Sequence, residues 1–121
     1  MSKRILVVED HEENRRILRL LLNSAHYEVL EASTGEEGVR LATQEHPDLI
    51  LMDIQLPGLD GYEATRQIKA TPDLHSIPII VVTSYALSGD DVKAFAAGCD
   101  AYVAKPVKLR ELLDKIHEYL Q

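Results

Sequence analysis

Residues 49–53 read Leu-Ile-Leu-Met-Asp, an unbroken apolar run that ends in a carboxylate. A strand with one wet face alternates apolar and polar residues, whereas a continuous apolar run indicates a strand covered on both faces, as in a parallel sheet. Runs of the same kind occupy residues 5–8 and 79–82. The more mixed residues 27–32 predict an edge strand with one partly wet face, and residues 101–104 predict a fifth strand.

Helical patterns fill the gaps between these runs. Thr34 and Glu37 have the spacing of a capping box, which predicts the start of a helix. The predicted helices cover His11–Asn23, Thr34–Glu45, Gly61–Ala70, Gly89–Gly98 and Lys108–Leu120. The apolar side chains that recur at helical spacing, and that we expect to face a core, are Ile17, Leu18, Leu21, Leu22, Val92, Phe95, Ala96, Cys99, Leu109, Leu112, Leu113, Ile116 and Leu120.

Strand and helix therefore alternate five times along the chain. This order predicts the α/β class, with a parallel five-stranded sheet between two layers of helices. Right-handed crossovers leave few topologies, and the flavodoxin-like (βα)5 doubly wound sandwich with strand order 2-1-3-4-5 fits best. We expect residues 1–121 to form one domain, with no output domain after it.

Composition and charge exclude several classes of function. The 13 basic and 20 acidic side chains give a net charge of −7, and an acidic surface repels phosphate backbones, so direct nucleic-acid binding is not expected. The single cysteine, Cys99, excludes an intramolecular disulfide and fits a reducing compartment. The apolar runs are far shorter than the roughly 20 residues that span a bilayer, so we expect no membrane insertion and a cytoplasmic location.

Polar side chains follow four of the predicted strands at the point where each strand ends. In the order 2-1-3-4-5, strands 1, 3, 4 and 5 are neighbours, and their carboxyl ends meet at one edge of the sheet. We therefore expect one patch that combines carboxylates, a hydroxyl and an ammonium group. The residues at these ends are Glu9, Asp10, Asp53, Thr83, Ser84, Lys105 and Pro106.

Three carboxylates at such close range cannot all stay ionised without a counter-charge, so either some are protonated or a cation binds. Oxygen ligands with room for water suit Mg²⁺ or Mn²⁺. A divalent ion beside Lys105 would make a pocket suited to a phosphoryl group, with Asp53 as the nucleophile and Thr83 as a hydroxyl donor. Taken singly, Glu9 and Asp10 are equally well explained as an acidic pair at a helix N-terminus.

The sequence gives no indication that a histidine belongs to this site. The five histidines show no metal-ligand spacing. His11 lies close to the expected mouth of the site, but we interpret it as a solvated residue between loop and helix.

The strand ends resemble the receiver domain of two-component response regulators, a CheY-like family. The resemblance covers essentially the whole chain, and within the family it is greatest to stand-alone DivK-type receivers. It is carried by Val7-Val8-Glu9-Asp10, by residues 47–61 (PDLILMDIQLPGLDG), by Val82-Thr83-Ser84 and by residues 102–106 (YVAKP).

The resemblance implies a role for each matching acidic residue. Asp53 would accept a phosphoryl group from a sensor histidine kinase or a histidine phosphotransfer protein. Asp10, Asp53 and the backbone carbonyl of Gln55 would ligate Mg²⁺, with Mn²⁺ as a substitute. Glu9 stands where many family members have Asp, and its longer arm would reach the metal directly or through water.

The resemblance also implies a conformational switch. Lys105 would contact the phosphoryl group, and the Lys105–Pro106 bond would be cis. Thr83 would swing toward the phosphoryl group. Tyr102 would then turn inward and change the surface formed by the fourth helix, the fifth strand and the fifth helix. Ser84, Tyr85 and Pro106 would flank the site, and both Gln55 and Tyr85 would border the phosphoryl group.

The resulting hypothesis is a phosphoacceptor switch that signals by contact with a downstream protein, as a monomer or a weak phosphorylation-dependent dimer. It would not be an enzyme beyond catalysing its own phosphorylation and dephosphorylation. A haloacid-dehalogenase-type phosphatase needs a second Asp at the position of Gln55. A phosphorylation-independent pseudo-receiver would be expected to lack one of the site residues. A flavodoxin-like cofactor binder is disfavoured because the acidic residues 9–13 would repel the cofactor phosphate.

Overall fold

The computed structural model describes residues 2–83, 90–104 and 108–120. Strands and helices alternate through this part of the chain, as the apolar pattern predicts. The strands are β1 (Arg4–Val8), β2 (Glu28–Ala32), β3 (Leu49–Asp53), β4 (Ile79–Thr83) and β5 (Ala101–Ala104). The helices are α1 (Glu12–Ser24), α2 (Gly35–Glu45), α3 (Gly61–Ala70), α4 (Asp90–Ala96) and α5 (Leu109–Leu120).

The five strands form one parallel sheet in the order β2-β1-β3-β4-β5. The predicted α/β class and strand order are therefore confirmed. Strands β3 and β4 are buried along their whole length, as their continuous apolar runs require. Strand β2 lies at an edge and is mostly half-exposed, which explains its mixed composition.

Two apolar layers hold the sheet between the helices, because successive side chains of a strand point to opposite faces. On one face, Leu6, Ile50 and Val81 pack with residues of α2, α3 and α4. On the other face, Val7, Leu51 and Ile80 pack with α1 and α5. The sheet is thus closed on both faces, and its carboxyl edge is left as the place where polar groups collect.

Two helices begin at the caps that the sequence contains. The hydroxyl of Thr34 accepts a hydrogen bond from Glu37 N at 3.1 Å, and the Glu37 carboxylate accepts one from Ser33 N at 2.8 Å. This confirms the predicted capping box at the start of α2. At α3, Asp60 Oδ1 accepts a hydrogen bond from Glu63 N at 2.9 Å, so a carboxylate caps the helix that follows the β3 loop.

Helical spacing was a poor guide to burial on three helices. Ile17 on α1, Phe95 on α4 and Leu109 at the start of α5 are 50%, 52% and 41% exposed, and Val92 is exposed as well. The core against α4 is made by small residues instead, among them Ala94 and Cys99. The reason is that a helix on a flat sheet buries a narrow stripe, so apolar side chains beside that stripe remain in water.

Candidate functional site

The sheet register places the predicted acidic and hydroxyl residues at one edge. Val8 pairs with Met52, so Glu9 and Asp53 follow at the same level of neighbouring strands. Asp53 pairs with Val82, so Thr83 extends one residue further on β4. Both Asp53 and Thr83 are the last residues of their strands, and their side chains are 5% and 0% exposed, respectively. Glu9 is also buried, at 2% exposed.

The turn of residues 9–11 connects β1 to α1 and is strongly acidic. Glu9 Oε2 accepts a hydrogen bond from His11 N at 3.1 Å, and Glu9 Oε1 lies 3.4 Å from Asn14 Nδ2. Glu9 N in turn donates to Ala32 O at 3.0 Å, which ties the turn to the end of β2. These bonds hold the Glu9 carboxylate inside the turn rather than in solvent.

Arg15 supplies the positive charge beneath this turn. Its Nη1 donates to the carbonyl oxygens of Glu9 at 2.8 Å and Asp10 at 3.3 Å. Its Nε lies 3.4 Å from Glu31 Oε1, and Glu31 also pairs with Arg19 at 2.8 Å. The guanidinium group therefore reaches two backbone carbonyls and one carboxylate at once, and it clamps the acidic turn against β2.

The donor set fits a divalent cation. Asp10 Oδ1 is buried and accepts no hydrogen bond from the residues that the structure describes. Ligand atoms of Glu9, Asp10 and His11 all lie within 4.8 Å of one another. A buried carboxylate oxygen without a hydrogen-bond donor is costly unless a cation or water satisfies it. Mg²⁺ and Mn²⁺ prefer oxygen ligands of this kind.

The loop after β3 folds tightly over the end of the strand. Gly61 N donates to Ile54 O at 2.9 Å, and a Cβ on Gly61 would lie 2.0 Å from Asp53 O. Only glycine allows this approach of α3 to the Asp53 carbonyl. Gly58 adopts φ = 73°, which also favours glycine, so both glycines shape the backbone around the site.

The structure brings together four of the residues predicted for the site: Glu9, Asp10, Asp53 and Thr83. Gln55 lies beside them, with its backbone N at 3.4 Å from Asp53 Oδ1. Tyr102 is half-buried on β5 and packs against the core that α4 covers. The remaining predicted site residues, Ser84, Tyr85, Lys105 and Pro106, lie outside the described residues.

Sequence reasoning identified neither Arg15 nor the contacts of His11 with the carboxylates. His11 is exposed, as predicted, but its Nδ1 lies 3.2 Å from Asp10 Oδ1 and 3.4 Å from Glu9 Oε2. Neither residue belongs to a recognisable ligand motif. The available signal was the position of the two residues in the chain. His11 occupies the N-cap position of α1, and Arg15 lies four residues later, on the same face of the helix.

Comparisons with known proteins agree with the geometry. The family described as Response regulator receiver domain matches residues 5–117. The polar-differentiation response regulator DivK of Brucella ovis is 41% identical over 120 residues, which cover 99% of this chain and 98% of that protein. The described part of the chain contains no helix that is long and apolar enough to cross a membrane.

Two solved structures add a metal to the comparison. The receiver domain of the sensor histidine kinase PA1611 from Pseudomonas aeruginosa PAO1 is 39% identical, with a TM-score of 0.92 over 99% of this chain and 98% of that one, and it has magnesium in its active-site cleft. The Mn²⁺-bound response regulator Rcp1 is 28% identical, with a TM-score of 0.82 over 97% and 91% of the two chains. By sequence, topology and the residues at its carboxyl edge, this chain belongs to the response regulator receiver domain family.

Proposed function

We propose that this receiver accepts a phosphoryl group on Asp53 in a Mg²⁺-dependent reaction. The observation that carries the proposal is the buried Asp53 at the end of β3. It lies at the same level as a turn in which Asp10 Oδ1 is buried and accepts no hydrogen bond from the described residues. A carboxylate held in such a place is suited to nucleophilic attack once the surrounding negative charge is neutralised.

The donor is a phosphohistidine of a sensor histidine kinase or a histidine phosphotransfer protein. A carboxylate oxygen of Asp53 attacks phosphorus, the P–N bond breaks, and the imidazole of the donor leaves and takes up a proton. The product is an acyl phosphate on Asp53. Hydrolysis later breaks the P–O bond and restores the carboxylate, so the only chemistry of the chain is its own phosphorylation and dephosphorylation.

Asp10, Asp53 and the backbone carbonyl of Gln55 would hold Mg²⁺, with Glu9 as a direct ligand or through water. The ion supplies positive charge against the phosphoryl oxygens and the carboxylates around them. The acidic turn is fixed for this task by Arg15 and by the Glu9 hydrogen bonds within the turn. Mn²⁺, with the same preference for oxygen ligands, would substitute.

The signal leaves the site through Thr83 and Tyr102. Thr83 would move its hydroxyl toward the phosphoryl group, Lys105 would pair with a second phosphoryl oxygen, and Tyr102 would turn inward. Tyr102 lines a groove of about 310 Å³ beside α5, together with Lys108 and Lys115. A rotation of this ring would change the shape of the α4-β5-α5 face, on which we place the contact with the downstream protein.

We expect the molecule to act in the cytoplasm, as a monomer or a weak phosphorylation-dependent dimer, without direct contact to nucleic acid or insertion into a membrane. A pseudo-receiver that binds partners without phosphorylation is the alternative. The two differ in one measurable property, which is whether Asp53 becomes phosphorylated.

The test is incubation with Mg²⁺ and acetyl phosphate, followed by intact mass. The wild type should gain one phosphoryl group and Asp53→Asn none. Asp60→Asn is the matched control, because Asn preserves the cap of α3 and Asp60 lies outside the acidic turn. Excess chelator should abolish the gain. Labelling of Asp53→Asn would place the nucleophile elsewhere, and failure of the wild type with a phosphohistidine donor as well would establish the pseudo-receiver.

A further inference from the structure

We infer that His11 is a ligand of the metal at the acidic turn and raises its preference for transition-metal ions over Mg²⁺. The inference rests on the proposed function, because it requires that Asp10 binds a cation. It adds a nitrogen ligand to a site that otherwise consists of oxygens. His11 would therefore be a specificity-determining residue for the metal.

The imidazole of His11 lies against the carboxylates of both Glu9 and Asp10. His11 Nδ1 lies 3.2 Å from Asp10 Oδ1 and 3.4 Å from Glu9 Oε2. In an octahedral site with bonds of about 2.1 Å, neighbouring ligand atoms are about 3 Å apart. The ring nitrogen thus lies from each of the two carboxylate oxygens at about the spacing of neighbouring ligands around one ion, and the three ligand groups lie within 4.8 Å of one another.

The imidazole has no role in capping the helix. His11 is the N-cap residue of α1, but its side chain makes no capping hydrogen bond. Its backbone N–H donates to Glu9 Oε2 at 3.1 Å, and its ring Nδ1 lies 3.4 Å from the same oxygen. The ring faces the carboxylates on one side and is otherwise open, since the side chain is 71% exposed. Loss of the ring should therefore leave the helix intact.

The identity of the ion decides how much a nitrogen ligand contributes. Mg²⁺ keeps oxygen ligands and water, whereas first-row transition ions also accept imidazole nitrogen. Mn²⁺ shares the preference of Mg²⁺ for oxygen, but as a first-row transition ion it accepts a nitrogen ligand more readily than Mg²⁺ does. The His11 ring would strengthen the binding of Mn²⁺ and would leave the binding of Mg²⁺ almost unaffected. Removal of the ring should therefore weaken the binding of Mn²⁺ much more than that of Mg²⁺.

The experiment compares the binding of Mn²⁺ and Mg²⁺ to the wild type, His11→Ala and His46→Asn at pH 8, where an ordinary imidazole is neutral. His46 is the control because it lies at the other edge of the sheet, lining a cavity with Lys3, and because Asn tolerates its left-handed backbone (φ = 45°). Free Mn²⁺ is followed by EPR, and Mg²⁺ by competition. Pulsed EPR reports any nitrogen bound to Mn²⁺.

His11→Ala should weaken Mn²⁺ binding by about tenfold, which equals the smallest loss usually seen when a residue that only supports a metal ligand is removed. Mg²⁺ binding should change by less than about twofold, because Mg²⁺ binds through oxygen. The nitrogen signal should be present in the wild type and in His46→Asn, and absent in His11→Ala.

Mn²⁺ that binds the wild type without a nitrogen signal would overturn the role of His11 and leave the metal site in place. Tighter or unchanged Mn²⁺ binding in His11→Ala would also overturn it. Asp10→Asn separates a failure of the role proposed for His11 from a failure of the metal site itself. If this variant and the wild type bind Mn²⁺ equally, or if neither binds it, the metal site of the proposed function is itself wrong.

Discussion

Arg15 shows how one side chain positions a site that it does not enter. It donates to the carbonyl oxygens of Glu9 and Asp10 and reaches Glu31 on the neighbouring strand. A planar guanidinium can serve these acceptors in different directions, whereas a lysine ammonium acts as a single point charge. We therefore regard Arg15 as a positioning residue for the acidic turn.

Arg15→Lys should lower the affinity for Mn²⁺ several-fold and the free energy of unfolding by about 1–2 kcal/mol, because hydrogen bonds to two carbonyls are lost or weakened. Metal titration and urea denaturation measure the two effects. Arg16→Lys is the matched control, since Arg16 is the exposed neighbour on the same helix. A loss of stability in Arg15→Lys with unchanged metal affinity would show that Arg15 is merely structural.

The environment of Cys99 makes its thiol unreactive. It is buried in the core under α4, and burial, assisted by the negative charge of Asp100, raises the pKa of its thiol to about 11. The nucleophile in thiol alkylation is the thiolate, so a thiol with this pKa is almost unreactive near neutrality. This confirms the prediction that Cys99 is a small core residue.

At pH 8, iodoacetamide should modify the folded protein far more slowly than the urea-unfolded chain. The free energy of unfolding should also depend on pH. The raised pKa of the Cys99 thiol stabilises the folded state at pH values below the pKa of the thiol in the unfolded chain. This contribution is lost as the pH rises toward 11. Cys99→Ala should lack that alkaline loss. Equal rates of alkylation in the folded and unfolded states would contradict the burial.

At the scale of the element, the connection from β3 to α3 is the most constrained part of the site. Helix α3 begins at Gly61, whose Cα lies against the backbone of Asp53 and Ile54. Asp60 caps the helix in front of it. The start of the helix and the orientation of the proposed phosphoacceptor are therefore coupled through a backbone contact that no rotamer change can relieve.

Gly61→Ala should destabilise the fold by about 1–3 kcal/mol, as overpacking does, and slow the phosphorylation of Asp53, because a Cβ would lie 2.0 Å from the Asp53 carbonyl. Gly38→Ala serves as the comparison. Its Cβ would meet the side chain of Val8 at 2.9 Å, rather than a backbone atom. Phosphorylation of Gly61→Ala at the wild-type rate would show that the contact does not reach the carboxylate.

At the scale of the whole molecule, a second polar cluster connects helices and strands at the amino ends of β4 and β5, opposite the site. Lys69 Nζ at the end of α3 donates to Ile77 O, His75 O and Asp100 Oδ2, at 2.8, 3.1 and 2.8 Å. Asp100 also accepts from Ile79 N at 2.8 Å, and its carbonyl accepts from Tyr119 on α5 at 3.0 Å. The Lys69–Asp100 ion pair and the hydrogen bonds of Asp100 thus link α3 and α5 to the start of β4 and to the residue that precedes β5.

Lys69→Met should lower the free energy of unfolding by about 1–3 kcal/mol, because it removes the donor of two carbonyls and the charged partner of the Asp100 carboxylate, which keeps only its bond from Ile79 N. Asp100→Asn in the Lys69→Met background should cost less than in the wild type, since the two residues share one network. The exposed pair Lys108–Glu111, at 4.0 Å, is the control, and its loss should be close to neutral. Additive effects of Lys69→Met and Asp100→Asn would contradict the coupling.

Most of the architecture followed from local pattern. Continuous apolar runs predicted the buried strands, the mixed run predicted the edge strand, and Thr34 and Glu37 predicted the start of α2. These features depend on residues close together in the chain, so one sequence suffices to read them. The same holds for the grouping of Glu9, Asp10, Asp53 and Thr83, because parallel strands end at one edge.

Only the tertiary structure decided which side chains of the helices are buried and which groups meet the acidic turn. Ile17 and Phe95 match the helical pattern but are exposed, because burial depends on how each helix lies on the sheet. His11 and Arg15 carry no motif, and their role depends on the direction in which α1 leaves β1. Contacts of this kind depend on the angle and register between elements, which local periodicity does not contain.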